Sequence, residues 1–316
     1  MGVFVISLDF EMLWGAIFND SVKKGYEYRS PYVEIIIPKL LALFDKYQIH
    51  ATWAIVGGIA CEDSKQMLEQ SSRLVSNPYR NETLLEFISS IPSEKASLYF
   101  RPDLVRMISN KPNQEIASHT FSHFYCYEHN EIGNKLAEEI VASQKILEGI
   151  THKKISTLVF PKNQINTLCS DIMQETGIKV FRGKQVSTQL VRNCKFSKLL
   201  HFMDAYLPIF SCSCYSHNTI YESKIINVRA SRFWRTYYKP LFFLEFLKIN
   251  RIKREMQYAA RKNLVYHLWF HPHNLSSEYM RNLKTLDKIF EYYKELNIKY
   301  GFTSLNMGQC AEIGLK

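Results

Sequence analysis

Two histidines four residues apart, His119 and His123 in the stretch EIASHTFSHFYC, can bring both imidazoles to one metal ion, because that spacing returns side chains to one side of a helical turn or tight loop. Such a pair arises often by chance, as two surface or core-edge histidines. Its meaning depends on whether the chain also supplies a carboxylate ligand, a base and an acid. Asp9 and Glu11 meet part of that need: they close the apolar run VFVISL, and residues two apart on a strand point the same way. One can ligate a metal while the other takes a proton from an attacking water, and a histidine from a distant strand end can protonate the leaving group. Two His and one carboxylate also leave positions open for water and substrate, as a catalytic metal requires. The bland alternative for Asp9 and Glu11 is an N-cap and a solvated charge.

The elements that must position these groups alternate between strand and helix. Apolar runs predict strands at 3–8, 50–56, 115–118, 157–160, 178–181, 263–270 and 299–302. Helical patterns fall at 33–47, 134–147, 169–176, 241–261 and 278–296, and the stretch 190–223 resists assignment. Catalytic groups in parallel α/β folds collect at strand ends. Four such ends carry chemistry here: Asp9 with Glu11, His119 with His123, Pro161 to Gln164, and His271 to Asn274. The expectation is one α/β domain over 1–316, a barrel of about seven strands, with an irregular insertion at about 61–113 lying over the strand ends.

Composition bounds the rest. An apolar share of 46% over 316 residues is that of a globular chain with a full core. No run approaches the ~18 apolar residues of a membrane span, and MGVFVISLDFEMLWG lacks the basic start and cleavage site of a signal peptide. Seven cysteines without a CxxC pair fit free thiols in a reducing compartment, so a cytoplasmic location is expected.

The motifs SLDFE (7–11), ATWAIVG (51–57), ASHTFSH (117–123), FPKNQ (160–164) and HLWFHPHN (267–274) occur in the order found in the polysaccharide deacetylases of the NodB-homology family, which the chain resembles over most of its length. HTFSH, fitting the family's H-[ST]-x-x-H metal motif, is the most specific. The resemblance implies a distorted (β/α) barrel and a metal-dependent enzyme that removes acetyl groups from N-acetylated sugars. It implies Asp9 as general base, Glu11, His119 and His123 as ligands of a divalent metal, most simply Zn2+, and His271 as general acid, with His273 the rival for that role. Two departures stand out. The carboxylates flank Phe10 instead of being adjacent, as in the D-x-D branch, and FPKNQ lacks the Arg that the family places before its Pro; Lys162 or Arg182 can substitute. Substrate contacts are expected from Pro161, Lys162, Asn163, Gln164, Arg182, Trp269 and Arg232. Trp14, Trp53 and Trp269 read as wall or core residues, and His267 as a satisfied core histidine.

The formal charge of +10 is concentrated: between Lys224 and Lys262 there are eleven Lys or Arg and two acids. Arg229, Arg232 and Arg235 recur beside Phe233, Trp234, Tyr237 and Tyr238. This segment, 224–262, reads either as a solvated basic face or as a patch for anionic headgroups or a lipid diphosphate, at the inner membrane face. Basic and aromatic residues together also suit nucleic acid, but no nucleic-acid-binding motif is present and that role leaves the metal constellation unexplained. A catalytically silent glycan-binding barrel is a further alternative. The expected substrate is an intracellular nucleotide- or lipid-linked N-acetyl sugar on the way to a surface polysaccharide.

Overall fold

The computed structural model describes residues 1–316 except 18, 72–83, 127–131, 166–168, 186–195, 222–223 and 314–316. Its centre is β1 (Val3–Phe10), buried along its whole length. Strands β2 (Ala51–Ile55), β3 (Gln114–Ser118), β4 (Thr157–Leu158), β5 (Val180–Phe181), β6 (Tyr215–Ser216), β7 (Ile226–Asn227), β8 (Arg232–Phe233), β9 (Leu264–Phe270) and β10 (Thr303–Leu305) complete one sheet. The order is β6-β9-β1-β2-β3-β4-β5-β7, with β10 beside β1 and β8 beside β9. Among the described residues only the β6–β9 pairing is antiparallel. β9 runs along one edge of β1, while β10 flanks Val3 to Val5 and β2 flanks Ile6 to Phe10 on the other. Among the described residues β6 and β7 end the order unpaired with each other, so the sheet is a curled, incomplete barrel.

The pleat of β1 sorts its side chains into two environments. Phe4, Ile6, Leu8 and Phe10 face outward and pack with Leu40 and Phe44 of helix Val33–Tyr47 and with Leu286, Ile289 and Phe290 of helix Tyr279–Tyr300. Val3 and Val5 face inward with Ala54, Ala117, Val159, Val180 and Val265, where helix Met307–Glu312 plugs the barrel with Met307, Cys310 and Ala311. Continuing up the inner face, apolar residues give way to Ser7 and Asp9. β9 follows the same gradient, from Val265 through His267 and Trp269 to His271. Inner positions near the plug are small and apolar, and those at the C-terminal rim are polar.

Among the described residues the structure holds ten strands where about seven were expected, because β6, β7 and β8, each two residues long, add to the seven. The strand expected at 299–302 begins at Thr303 instead: helix Tyr279–Tyr300 runs on to Gly301, whose φ of 66° provides its left-handed cap. The insertion at 61–113 contributes helices Ser64–Ser71, Leu84–Ser89 and Pro102–Ser109 among its described residues. Its Phe87, Tyr99 and Phe100 surround the Trp14 ring edge-on, and Trp14 Nε1 donates to the Tyr99 carbonyl. That cluster anchors the turn Met12–Ala16, which follows directly on Glu11.

Candidate active site

Glu11, just past the end of β1, meets His119 and His123, just past the end of β3, in a fully buried cluster whose three ligand atoms lie within 4.8 Å of one another. His123 Nε2 is 2.9 Å and His119 Nε2 3.6 Å from Glu11 Oε2. The Nδ1 of His119 is 2.7 Å from the Val159 carbonyl. A carbonyl can only accept, so Nδ1 carries a proton there and Nε2 is the ring nitrogen turned toward the carboxylate. That nitrogen has no hydrogen-bond partner among the described residues. A buried ring nitrogen without a hydrogen bond, converging with a second imidazole on a carboxylate, fits a metal ligand, and the carbonyl bond orients the ring as such ligands require. Burial would raise the Glu11 carboxyl, but His271, His119 and His123 together outweigh it and hold it well below the usual range.

The HTFSH loop is bent to make this cluster. Thr120 and His123 both have φ above 60°, in the left-handed region that non-glycine residues rarely occupy. The backbone N–H groups of Phe121 and Ser122 and the Ser122 hydroxyl all donate to Glu139 on helix Ile132–Thr151. Gly57 and Gly58 donate to the carbonyls of Thr120 and Phe121. A Cβ on Gly57 would come within 3.0 Å of the Ser143 backbone, so the loop closes only on a glycine.

Asp9 lies beside the cluster in a bidentate ion pair with Arg182, at 2.6 and 2.7 Å. Arg182 is the residue that follows β5. It also donates to Ser7 Oγ and Asn163 Oδ1 and stacks on the Trp269 ring at 4.3 Å. Burial opposes ionisation of Asp9, yet Arg182, with help from His119 and His271, holds its carboxyl below the ordinary value. On the opposite wall His271 Nε2 is 3.4 Å from Glu11 Oε1 and 3.8 Å from Asp9 Oδ2. Arg29 donates to Asn274 Oδ1, which turns the Asn274 amide N–H toward His271 Nδ1 at 3.3 Å. Nε2 is thus the ring nitrogen that faces the carboxylates.

A family model described as polysaccharide deacetylase matches residues 24–181, half of the chain. The chain belongs to this family. Among solved structures, a Mycobacterium smegmatis protein described as a polysaccharide deacetylase is 13% identical, with 98% of this chain and 89% of that one covered at a TM-score of 0.63. A GH57-type branching enzyme from Pyrococcus horikoshii is 11% identical, with coverage of 97% and 69% and a TM-score of 0.50. A CE4 family pseudoenzyme from Bacillus anthracis is 10% identical, with coverage of 98% and 65% and a TM-score of 0.42. At such identities the likeness to the first of these is one of fold, the curled parallel sheet with its helices. No curated protein matches the chain at a significant level.

In this polysaccharide deacetylase-family chain, the structure gathers Asp9, Glu11, His119, His123 and His271 at one rim and adds the FPKNQ turn beside them. Pro161 is buried, Lys162 lies over the Tyr125 ring at 3.7 Å, and Asn163 holds Arg182. The strap for Asp9 is Arg182 and not Lys162. Two expected substrate contacts are corrected. The donors of Arg182 are spent on Ser7, Asp9 and Asn163 in a fully buried position. Arg232 points into the protein, where Glu255 takes two of its donors at 2.6 Å and Asp204 a third. His267 is a core histidine, bonded to Ser7 Oγ and the Arg229 carbonyl. His273 is buried behind His271 against the Tyr26 ring, and burial pushes its imidazole down to about 3. Tyr26, whose hydroxyl donates to Glu11 Oε1 at 2.6 Å, was not expected. It shares one face of helix Asp20–Arg29 with Arg29, three residues on, and that i, i+3 pairing was its only trace in the sequence.

Proposed function

We propose that the protein is a metal-dependent deacetylase that hydrolyses the N-acetyl group of a sugar, and that its substrate is a nucleotide- or lipid-linked precursor of a surface polysaccharide. The observation that carries this reading is the buried Glu11, His119 and His123 cluster with Asp9 and His271 on its two sides. A divalent cation held by these three ligands, zinc in the simplest case, would polarise the amide carbonyl and make an attacking water more acidic.

The chain's own groups do the rest. Arg182 keeps Asp9 ionised and fixes its plane, so the carboxylate's remaining lone pairs are free to take the water's proton. His271, in its imidazolium form, hands the Nε2 proton to the departing amine as the carbon–nitrogen bond breaks, and the proton taken up by Asp9 restores it. Acetate and a free amino sugar result. Trp269 and Phe233, tilted against each other with ring centroids 4.6 Å apart beside His271, offer an apolar wall for a sugar face. Phe242, Phe243 and Phe246, exposed among Lys239 and Arg254, suit the surface of an anionic membrane, which supports the reading of a protein peripheral at the inner membrane face. No helix among the described residues is long and apolar enough to cross a membrane.

Asp9→Asn tests the assignment directly. Turnover of N-acetylated sugars should fall by at least about a thousandfold while bound metal, measured by elemental analysis, stays near the wild-type level. Undiminished acetate release would remove Asp9 from the reaction, and absence of release from every sugar by the wild-type protein would leave a silent glycan-binding barrel.

A further inference from the structure

Of the three arginines at 229, 232 and 235, two have their charge or donors taken up within the protein. Arg229 lies over the Tyr215 ring and donates to Thr219, and Arg232 is enclosed by Glu255 and Asp204. Arg235 is different. Among the described residues its guanidinium makes no hydrogen bond and no ion pair, though it is half-buried.

Its position is fixed by the sheet. β8 runs parallel to β9 with Phe233 opposite Trp269, and the Trp234 N–H donates to the Trp269 carbonyl at 2.8 Å. Counted on in that register, Arg235 falls level with His271. Both flank the same ring: His271 lies 5.7 Å from the Phe233 centroid, and the Arg235 guanidinium carbon 5.8 Å. A second ring, Phe202, lies 5.4 Å from that carbon. The backbone behind it is pinned, because buried Lys248, paired with Glu245, donates from Nζ to the carbonyls of Arg235 and Thr236. Burial lowers the Arg235 guanidinium from its usual value, and Arg232 nearby adds to the shift.

We propose that Arg235 is an anion subsite at the rim of the catalytic cleft, and that the N-acetylated sugar admitted there carries a phosphate or diphosphate. The proposal deepens the deacetylase reading and rests on it for the acetyl group, but not for the anion. Two aromatic rings hold the guanidinium carbon by cation–π contact, and the N–H fork, which makes no hydrogen bond among the described residues, can take paired oxygens. A desolvated cation without a counter-charge is unfavourable until an anion arrives, and the surplus of positive charge in 224–262 favours a doubly charged phosphate over a single carboxylate.

The test uses the full-length protein and two readouts. Calorimetric titration with glucosamine and glucosamine 1-phosphate, which carry no acetyl group, reads binding without turnover. Wild type should bind the phosphorylated sugar at least tenfold more tightly, with added salt eroding the difference, and Arg235→Gln should bring the ratio to about one. Arg235→Lys, which keeps the charge and loses the fork, should fall between, and this guards against a folding defect. Acetate release from N-acetylglucosamine, its 1-phosphate, its UDP derivative and its polyprenyl diphosphate in micelles should show the same Arg235-dependent ratio. Which of the last two reacts faster identifies the carrier. Equal binding of the two glucosamines by wild type, retention of the ratio by Arg235→Gln, or tighter binding of an amino uronic acid than of the phosphate would each overturn the proposal. Arg235-dependent binding without acetate release from any sugar would keep the subsite and reject the deacetylase.

Discussion

At the scale of single residues, the site depends on partners that arrive from remote parts of the chain. Glu11 is held by the Tyr26 hydroxyl as well as by two imidazoles, and a Cβ on Gly15 would strike its carboxylate at 2.6 Å. Tyr26→Phe should therefore leave the fold intact and weaken metal binding by about 10- to 100-fold, as loss of a ligand's hydrogen-bonding partner does; competition titration with a chromophoric chelator measures it, and unchanged affinity would show that the hydroxyl is dispensable. Asp9, Glu11, His119, His123 and His271 were legible because each stands just past an apolar run or in a short spaced motif. Tyr26, Arg29 and Glu139 were not, since they sit on helices where a polar residue facing the site looks the same in sequence as one facing water. Arg182 lay between these cases, visible as the basic residue that ends a strand but not as the strap for Asp9.

At the scale of elements, the HTFSH loop and helix Ile132–Thr151 act as one unit through Glu139. Burial, only partly offset by the Ser122 and Phe121 donors, raises that carboxyl from 4.5 to about 7. A carboxyl raised on folding is protonated in the native state and ionised in the unfolded one between those two values, so stability falls as pH rises through that window, by up to about 3 kcal/mol. Glu139→Gln keeps two acceptor bonds and cannot ionise. Relative to wild type it should gain stability from pH 4.5 to 7 in denaturant titrations, and parallel curves would place the proton elsewhere. The long elements, such as β1, β9 and helix Val33–Tyr47, were readable from periodicity. Strands β4 and β5 were read too, though each longer than it is; β6 to β8 were not, because two residues carry no period and their pairing comes from neighbours already in place.

For the molecule as a whole, the basic segment divides in a way that charge counting does not reveal. Arg232, Lys248 and Arg251 turn inward to Asp204, Glu245 and Glu255, while Phe242, Phe243 and Phe246 stand 57–63% exposed. Co-sedimentation with vesicles containing anionic lipid should occur at low salt, weaken as salt rises, and be lost on replacing the three phenylalanines with serine. No binding at low salt would leave this face without a membrane. The curled parallel fold was legible from the βα alternation and the ordered motifs. The inward turn of the arginines was not, since it is set by acids up to 47 residues away in sequence.

The Arg182–Asp9 bond joins residues 173 apart. Until β5 is in place beyond β2, β3 and β4, Asp9 lacks its guanidinium partner, so the chain cannot assemble its site from the N-terminal third alone. Closing so long a loop is slow. The same bond that orients the carboxylate thus makes chemical competence a late event in folding, and a nascent or truncated chain, however much of β1 and the histidine loop it has formed, holds an unpaired acid where the finished molecule holds a base.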